Sequence, residues 1–317
     1  MKILEKSNLK QFLKNLSKKY ELIAPVKERN TKFQVIEKDN FDKIFLEKIT
    51  EVPVKSFFIP ENETLLSFGK AENNGHERKK IIFGLRNCDL NAIHILDRVM
   101  HDTNYLEKRK NTILIGLYCE NPDEYCFCNS MELEECEKVS DLFFYGKGKK
   151  YFISVNSKSG EEIVKNLKES REKIKLKEIN KKELKNKDIK KHYKNHVWES
   201  DAAKCLSCSA CTVYCPTCNC FNIEDKTEIN LKDGERIRQQ ASCQLKSFSK
   251  VAGGKVFRDS RLARFKHFIY HKLVYFKDQH NRYMCVGCGR CLRACPTKID
   301  WVNTINLLID DKRMKKR

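Results

Sequence analysis

Cys205-Leu-Ser-Cys208-Ser-Ala-Cys211-Thr-Val-Tyr-Cys215-Pro216 and Cys285-Val-Gly-Cys288-Gly-Arg-Cys291-Leu-Arg-Ala-Cys295-Pro296 set the architecture of this chain. Both follow C-x2-C-x2-C-x3-C-P, the spacing that holds [4Fe–4S] clusters. Three thiolates two residues apart, in a loop that turns around a cube, reach three of its irons. The fourth cysteine, just before proline, ligates the other cluster where two are present. That rule assigns Cys205, Cys208, Cys211 and Cys295 to one cluster, and Cys285, Cys288, Cys291 and Cys215 to the other. Zinc is the competing reading, but zinc sites draw on two separated C-x2-C pairs and need no triple with a distant Cys-Pro. The expected chemistry is one-electron relay.

The 317 residues allow two ordinary domains, and 40% hydrophobic content supports packed cores. Sixteen cysteines in a chain of this length point to metal ligands in a reducing compartment rather than to a disulfide scaffold. Met1-Lys-Ile-Leu-Glu-Lys-Ser7 lacks the apolar stretch of a signal peptide, and no apolar run approaches membrane-spanning length. The expectation is a cytoplasmic protein without a membrane span. The formal charge of +20 invites a nucleic-acid reading. Thiolate-bound clusters, each about −2 when oxidised, offset part of it, and no recognition helix or single-strand-binding motif accompanies the rest. No nucleic-acid partner is expected.

Residues 1–165 read as an α/β domain. Ser7 can cap a helix that carries Leu9, Phe12, Leu13 and Leu16 on one face. Tyr20–Val26 and Thr31–Ile36 read as strands. Lys80–Leu85 and Thr112–Tyr118 are apolar strands with a helix between them, Asp89–Met100. That alternation predicts a mixed, partly parallel sheet. Asp141–Tyr145 and Tyr151–Val155 form a late hairpin. Residues 166–195 read as a Lys-rich helix or linker. Residues 196–317 read as an α-helical, ferredoxin-like two-[4Fe–4S] domain, its two runs separated by 69 residues expected to be helical over Gly234–Ala252 and Ser260–Tyr275. Gly253-Gly254 would stop the first of these helices. The fold class is α+β, multidomain. No strand leads into Gly-x-Gly-x-x-Gly, so hydride chemistry belongs to another chain.

A second set of cysteines stands upstream. Cys88 and Cys119 follow the two apolar strands, at the strand ends where open α/β sheets place ligands. Cys126 and Cys128 lie in Tyr125-Cys-Phe-Cys-Asn-Ser130. Two readings stay open: a third iron–sulfur cluster on these four, with Asp89 a weaker candidate beside it, or buried thiols in a packed core. Cys218 and Cys220 read either as neighbours that tune the first cluster or as plain buried thiols. Cys136 reads as buried, and Cys243 has no assignment. His267 and His271 fall four residues apart among aromatic residues and read as core.

Gly84-Leu-Arg-Asn-Cys88-Asp-Leu-Asn-Ala-Ile-His-Ile-Leu-Asp97 and Tyr125-Cys-Phe-Cys-Asn-Ser-Met131 resemble one family of dicluster iron–sulfur subunits. It includes the iron–sulfur subunit of the anaerobic sulfite reductase and the β subunit of cytoplasmic sulfhydrogenases. Cys215-Pro-Thr-Cys-Asn-Cys-Phe221, Arg236-Ile-Arg238 with Ser242-Cys243, and more weakly Pro60-Glu-Asn-Glu-Thr-Leu65 extend the likeness. Met131-Glu-Leu-Glu-Glu-Cys136 departs from the glycine-rich continuation the family shows. The resemblance implies electron transfer between two partners, a flavin-containing, NAD(P)H-oxidising subunit on one side and a catalytic subunit on the other. The catalytic partner is a sirohaem sulfite reductase in one branch and a nickel–iron hydrogenase in the other, and the likeness leans slightly to the first.

Overall fold

The computed structural model describes residues 1–69, 78–172, 174, 180–230 and 232–314, the last helix beyond 308 by its backbone only. The chain divides into two compact units. One takes Met1–Phe58, Asn74–Asp123 and Leu133–Ile179. The other takes Ile59–Asn73, Glu124–Glu132 and Asn180–Arg317.

The first unit contains β1 (Lys2–Glu5), α1 (Leu9–Ser17), β2 (Glu21–Lys27) and β3 (Thr31–Val35), while β4 (Asn62–Phe68) belongs to the second. It continues with β5 (Lys80–Leu85), α2 (Asn87–Leu96), α3 (Thr103–Lys110) and β6 (Thr112–Leu117). β7 (Leu142–Lys147), β8 (Lys150–Val155), α4 (Lys158–Val164) and β9 (Lys168–Glu169) complete it. The eight strands form one sheet in the order β3-β2-β5-β6-β7-β8-β1-β9. β2, β5, β6 and β7 run parallel, and antiparallel partners flank them on both sides. The expected mixed, partly parallel sheet is present.

Composition explains this layout. Lys80-Ile-Ile-Phe-Gly-Leu85 and Thr112-Ile-Leu-Ile-Gly-Leu117 are buried almost throughout, as central parallel strands covered on both faces must be. Phe83 meets Phe144 edge to face at 5.4 Å, inside a core that also takes Leu13 and Leu16 from α1. α1 begins at Leu9 after a 3-10 turn over Lys6–Asn8, so Ser7 lies in the turn rather than capping the helix.

The second unit adds α5 (Val197–Lys204), α6 (Ala210–Val213), β10 (Phe221–Thr227), β11 (Gly234–Gln240) and α7 (Arg261–Tyr270). A π-turn over His271–Tyr275 leads into α8 (Phe276–His280), followed by α9 (Arg290–Ala294) and α10 (Trp301–Met314). Three expectations change here. The domain is not purely helical: β10, β11 and β4 form an antiparallel sheet, and Gly234–Gln240 is a strand where a helix was expected. Its partner on one side is β4, far away in sequence, so local periodicity could not reveal the pairing. Gly253-Gly254 sits in a turn closed by the Lys250–Val256 bridge rather than at a helix end. The Lys-rich stretch, of which 173 and 175–179 lie outside the described residues, contains no helix over 180–189. It is strapped down rather than solvated. Leu184 and Ile189 are buried, Leu184 N–H donates to Ser130 Oγ at 2.9 Å, and Asn306 holds Glu183 and Lys185 through their backbone.

Among the described residues no helix is long and apolar enough to cross a membrane.

The sheet of the second unit is held by a buried ion pair. Arg238 of β11 donates to Glu63 of β4, and both side chains are almost fully enclosed. Two segments of the family resemblance, Arg236-Ile-Arg238 and Pro60–Leu65, are therefore partners. Removing one side of such a pair leaves an uncompensated buried charge. Arg238→Met should destabilise this unit by ~3–5 kcal/mol, and pairing it with Glu63→Leu should recover most of the loss. Urea unfolding followed by tryptophan fluorescence checks this, since Trp198 and Trp301 both lie in this unit. A single variant as stable as the parent chain would show that the pair contributes nothing.

Candidate metal centres

α5 ends at Lys204 and delivers Cys205 into a tight loop. Ser207 and Ser209 take left-handed backbone, with φ of 53° and 69°. Those two reversals bring Cys205, Cys208 and, at the start of α6, Cys211 round to one side. Cys205, Cys208, Cys211 and Cys295 all line one cavity of about 40 Å³, which Cys291 also reaches. Its walls are apolar, with Phe265 and Phe268 from α7 and Ile299 and Trp301 beyond the second run. Ser207 N–H donates to Cys205 Sγ and Ile299 N–H to Cys295 Sγ, each at 3.4 Å. Buried Arg264 fixes the loop from behind, donating to the carbonyls of Gln244, Arg258 and Asp259 and to Ser207 Oγ at 3.3 Å.

The second run repeats this backbone with glycine in place of serine. Gly287 and Gly289 have φ of 66° and 71°. Left-handed geometry favours glycine here, and close approach excludes anything else. A Cβ on Gly287 would stand 2.6 Å from Cys128 Cα, and one on Gly289 2.5 Å from the Tyr125 carbonyl carbon. The Tyr125–Cys128 segment lies directly on the loop. Phe127 N–H donates to Gly287 O at 2.8 Å, and the Cys126 thiol points to Cys288 O at 3.6 Å. Phe127 packs edge to face on Trp301 at 5.5 Å, and Trp301 Nε1–H donates to Cys291 Sγ at 3.5 Å.

The thiols of the two runs act on one another electrostatically, Cys215 on Cys211 as well as on Cys285 and Cys291. Burial pushes the Cys291 thiol well above its ordinary range, and the charges of Cys285, Cys215 and Cys288 raise it further. Burial likewise takes Cys285 up to about 12, and Cys211 up to about 12 with Cys205 adding to it. Such thiols stay protonated unless a strong positive charge arrives, and a coordinating metal deprotonates them outright. A soft, thiol-only donor set in an apolar surround fits an iron–sulfur cluster. Among the described residues no three His, Cys, Asp or Glu side chains are grouped to hold a single metal ion.

Lys272 is the charged group the sequence did not reveal. It lies in the π-turn, 2% exposed. Its ammonium reaches Cys215 Sγ at 3.1 Å, Thr217 Oγ1 at 3.3 Å and Cys218 Sγ at 3.3 Å. Desolvation opposes its charge, but the sulfurs of Cys215, Cys218 and Cys285 together hold it protonated well above the ordinary lysine range. Thr217 and Thr297 are a second omission. Each stands two residues after the fourth cysteine of its run, with its hydroxyl 3.2 Å from Cys215 Sγ and 3.5 Å from Cys295 Sγ respectively. The repeated Cys-Pro-Thr was the available signal.

The upstream cysteines divide between the units. Cys88, second residue of α2, and Cys119, just after β6, follow neighbouring parallel strands of the first. Buried Arg86 ties that strand end together, donating to Tyr118 O at 2.6 Å and to Leu46 O. Asp89 accepts from Arg86 N–H at 3.1 Å and so acts in the helix start. Cys126 and Cys128 belong to the second unit, on the Gly287 loop. Burial raises the Cys128 thiol, opposed by a hydrogen bond from Asn180.

Of the remaining thiols, Cys218 meets Lys272, and Cys243 is hydrogen-bonded with Cys220, which keeps its thiol far above the ordinary range. Cys243 follows β11 rather than riding on a helix. Cys136 is buried in the first unit, its carbonyl accepting from Ser140 Oγ at 2.6 Å. The His267 and His271 rings stack at 5.6 Å, and burial lowers both to about 4, so both are neutral, half-buried aromatic neighbours.

Residues 204–299 match the family model of a 4Fe-4S dicluster domain. The chain is 32% identical over 321 residues to sulfhydrogenase 2 subunit beta of Pyrococcus furiosus, covering 93% of this chain and 94% of that one. No solved structure matches it. A thiol-lined cavity, a dicluster domain and a likeness along nearly the whole length agree: the chain is an iron–sulfur, electron-transfer subunit of an oxidoreductase, belonging to the dicluster family of the sulfhydrogenase beta subunits.

Proposed function

We propose that this chain is the beta subunit of a cytoplasmic sulfhydrogenase-type hydrogenase. It would relay electrons between two partners, a flavin-containing, NAD(P)H-oxidising subunit on one side and a nickel–iron catalytic subunit on the other. The observation that carries this reading is the likeness to sulfhydrogenase 2 subunit beta over 93% of the chain. It moves the assignment away from the sulfite reductase branch, to which the sequence motifs alone leaned, because the relative stands on the hydrogenase side.

Two [4Fe–4S] clusters are assigned, one to Cys205, Cys208, Cys211 and Cys295 and one to Cys285, Cys288, Cys291 and Cys215. Bound there, they supply reversible one-electron storage. The chain's own residues do the rest. The two loops aim the thiols, and apolar walls line the first set, where Cys208 remains exposed. Backbone N–H groups, Thr217, Thr297 and Trp301 place hydrogen bonds on sulfur, which tune potential. The absence of a nucleotide fingerprint in this chain supports a separate flavin subunit.

Two experiments test the proposal. Anaerobically purified protein should hold about eight irons with matching acid-labile sulfide, and Cys205→Ser or Cys285→Ser should each lose about four of them. About twelve irons would instead support the third cluster expected on Cys88, Cys119, Cys126 and Cys128. Protein without iron would end the cluster assignment. For the complex, a tagged chain purified anaerobically from its own cells should bring down nickel–iron hydrogenase and flavin subunits. Cys205→Ser should then block physiological turnover while hydrogenase activity with an artificial dye persists. Recovery of a sirohaem sulfite reductase instead would overturn the branch.

A further inference from the structure

Lys272 is an unusual residue to find enclosed. A lysine ammonium is costly to bury unless its donors and its charge are both met. Here the three donors of an –NH3⁺ group face three acceptors: Cys215 Sγ, Thr217 Oγ1 and Cys218 Sγ. Two of them are sulfur, and one of these is the fourth cysteine of the first run.

The backbone around it is equally specific. Lys272 lies in the π-turn that interrupts the helix from α7 to α8, and such turns cluster at functional sites. Its carbonyl accepts from Met284 N–H at 2.9 Å, outside the helical ladder. Met284 immediately precedes Cys285. One residue therefore holds the start of the second loop through its carbonyl and touches Cys215 through its side chain. Cys285 and Cys215 are two members of the same proposed ligand set, with 69 residues between them in sequence.

We propose that Lys272 is a positioning and tuning residue that raises the reduction potential of the cluster held by Cys285, Cys288, Cys291 and Cys215. The inference rests on the ligand assignment of the preceding subsection. Reduction adds one negative charge to a buried site, and burial alone opposes it. A fixed ammonium against a ligand sulfur favours the reduced state, because charge and hydrogen bonds to sulfur both move cluster potentials upward. Both loops carry the equivalent backbone N–H donor, at Cys205 and at Cys285. Lys272 acts on the first cluster's Cys211 by charge at a distance but hydrogen-bonds Cys215 directly, so the effect on the first cluster is smaller.

The test is an EPR-monitored redox titration of Lys272→Met and Lys272→Gln beside the parent protein, with iron and sulfide measured on each. Both variants should keep the parent's iron. One cluster should become harder to reduce by at least about tenfold in its one-electron equilibrium, ~59 mV, and the other should move less. Gln retains hydrogen bonding without charge, so a Gln variant with parental potentials would overturn the tuning role. So would equal shifts in both clusters. If both neutral variants fail to load iron, Lys272→Arg decides. Loading with near-parental potentials supports the cation, and failure to load overturns the proposal. Cys215→Ser separates this inference from the assignment beneath it. If it keeps all the iron, the ligand assignment fails. If it loses about four irons while the Lys272 variants titrate like the parent, only the tuning role fails.

Discussion

The left-handed turn after the first cysteine of each run is the constraint on which the rest of the second unit depends. Thiols two residues apart face the same side only if the chain reverses between them. Ser207, Ser209, Gly287 and Gly289 supply those reversals at matching positions. The two loops solve the same problem under different surroundings. At the serines, Arg264 holds the Ser207 hydroxyl. Around the glycines the Tyr125–Cys128 backbone leaves no space for a Cβ. The Cys-Phe-Cys segment, far upstream in sequence, is thus part of the second loop's mould. Its phenylalanine reaches Trp301, whose indole N–H meets Cys291.

Legibility in the sequence follows from the range of the interactions. The parallel strands β5 and β6 were readable because burial on both faces forces an unbroken apolar run, a local property. The dicluster domain was readable because a cluster imposes its own cysteine spacing. β10 was not readable. It is exposed along its whole length, so it carries no alternation, and it is a strand only because β11 lies beside it. β11 in turn depends on β4, through Arg238 and Glu63, and no local window contains both. The Lys-rich stretch misled for a similar reason. Leu184 and Ile189 are isolated apolar residues among lysines, and only the fold shows that they are buried. Lys272 was hidden in an aromatic helix, where a single lysine reads as a solvent-facing position.

Buried charge is distributed according to partners rather than depth. Arg264 spends its donors on carbonyls, Arg238 meets a carboxylate, and Lys272 meets sulfur. Asp201 accepts from the Thr304 hydroxyl, joining α5 to α10. Arg264 and Lys272 are enclosed beside the cysteine runs, while Arg238 fixes β11 against β4. Hydrophobic packing alone would not specify those contacts, since apolar contacts are non-directional. Hydrogen bonds and charges are directional, and a ligand set needs direction.

The crossing of the fourth cysteine carries a consequence for stability. On the proposed assignment each cluster takes three thiolates from one run and one from the other, so one closes the 69 residues between Cys215 and Cys285 and the other the 83 between Cys211 and Cys295, with β10, β11 and α7 inside both. Cross-linking a long segment removes conformational freedom from the unfolded chain, and metal binding of this kind is coupled to folding. Burial favours protonated thiols, and a coordinating metal would deprotonate them as it binds. Folding of this unit and loading of its clusters are then one equilibrium, and the left-handed residues, Lys272 and the Cys-Phe-Cys segment lower its cost by holding the thiols in place before the metal arrives.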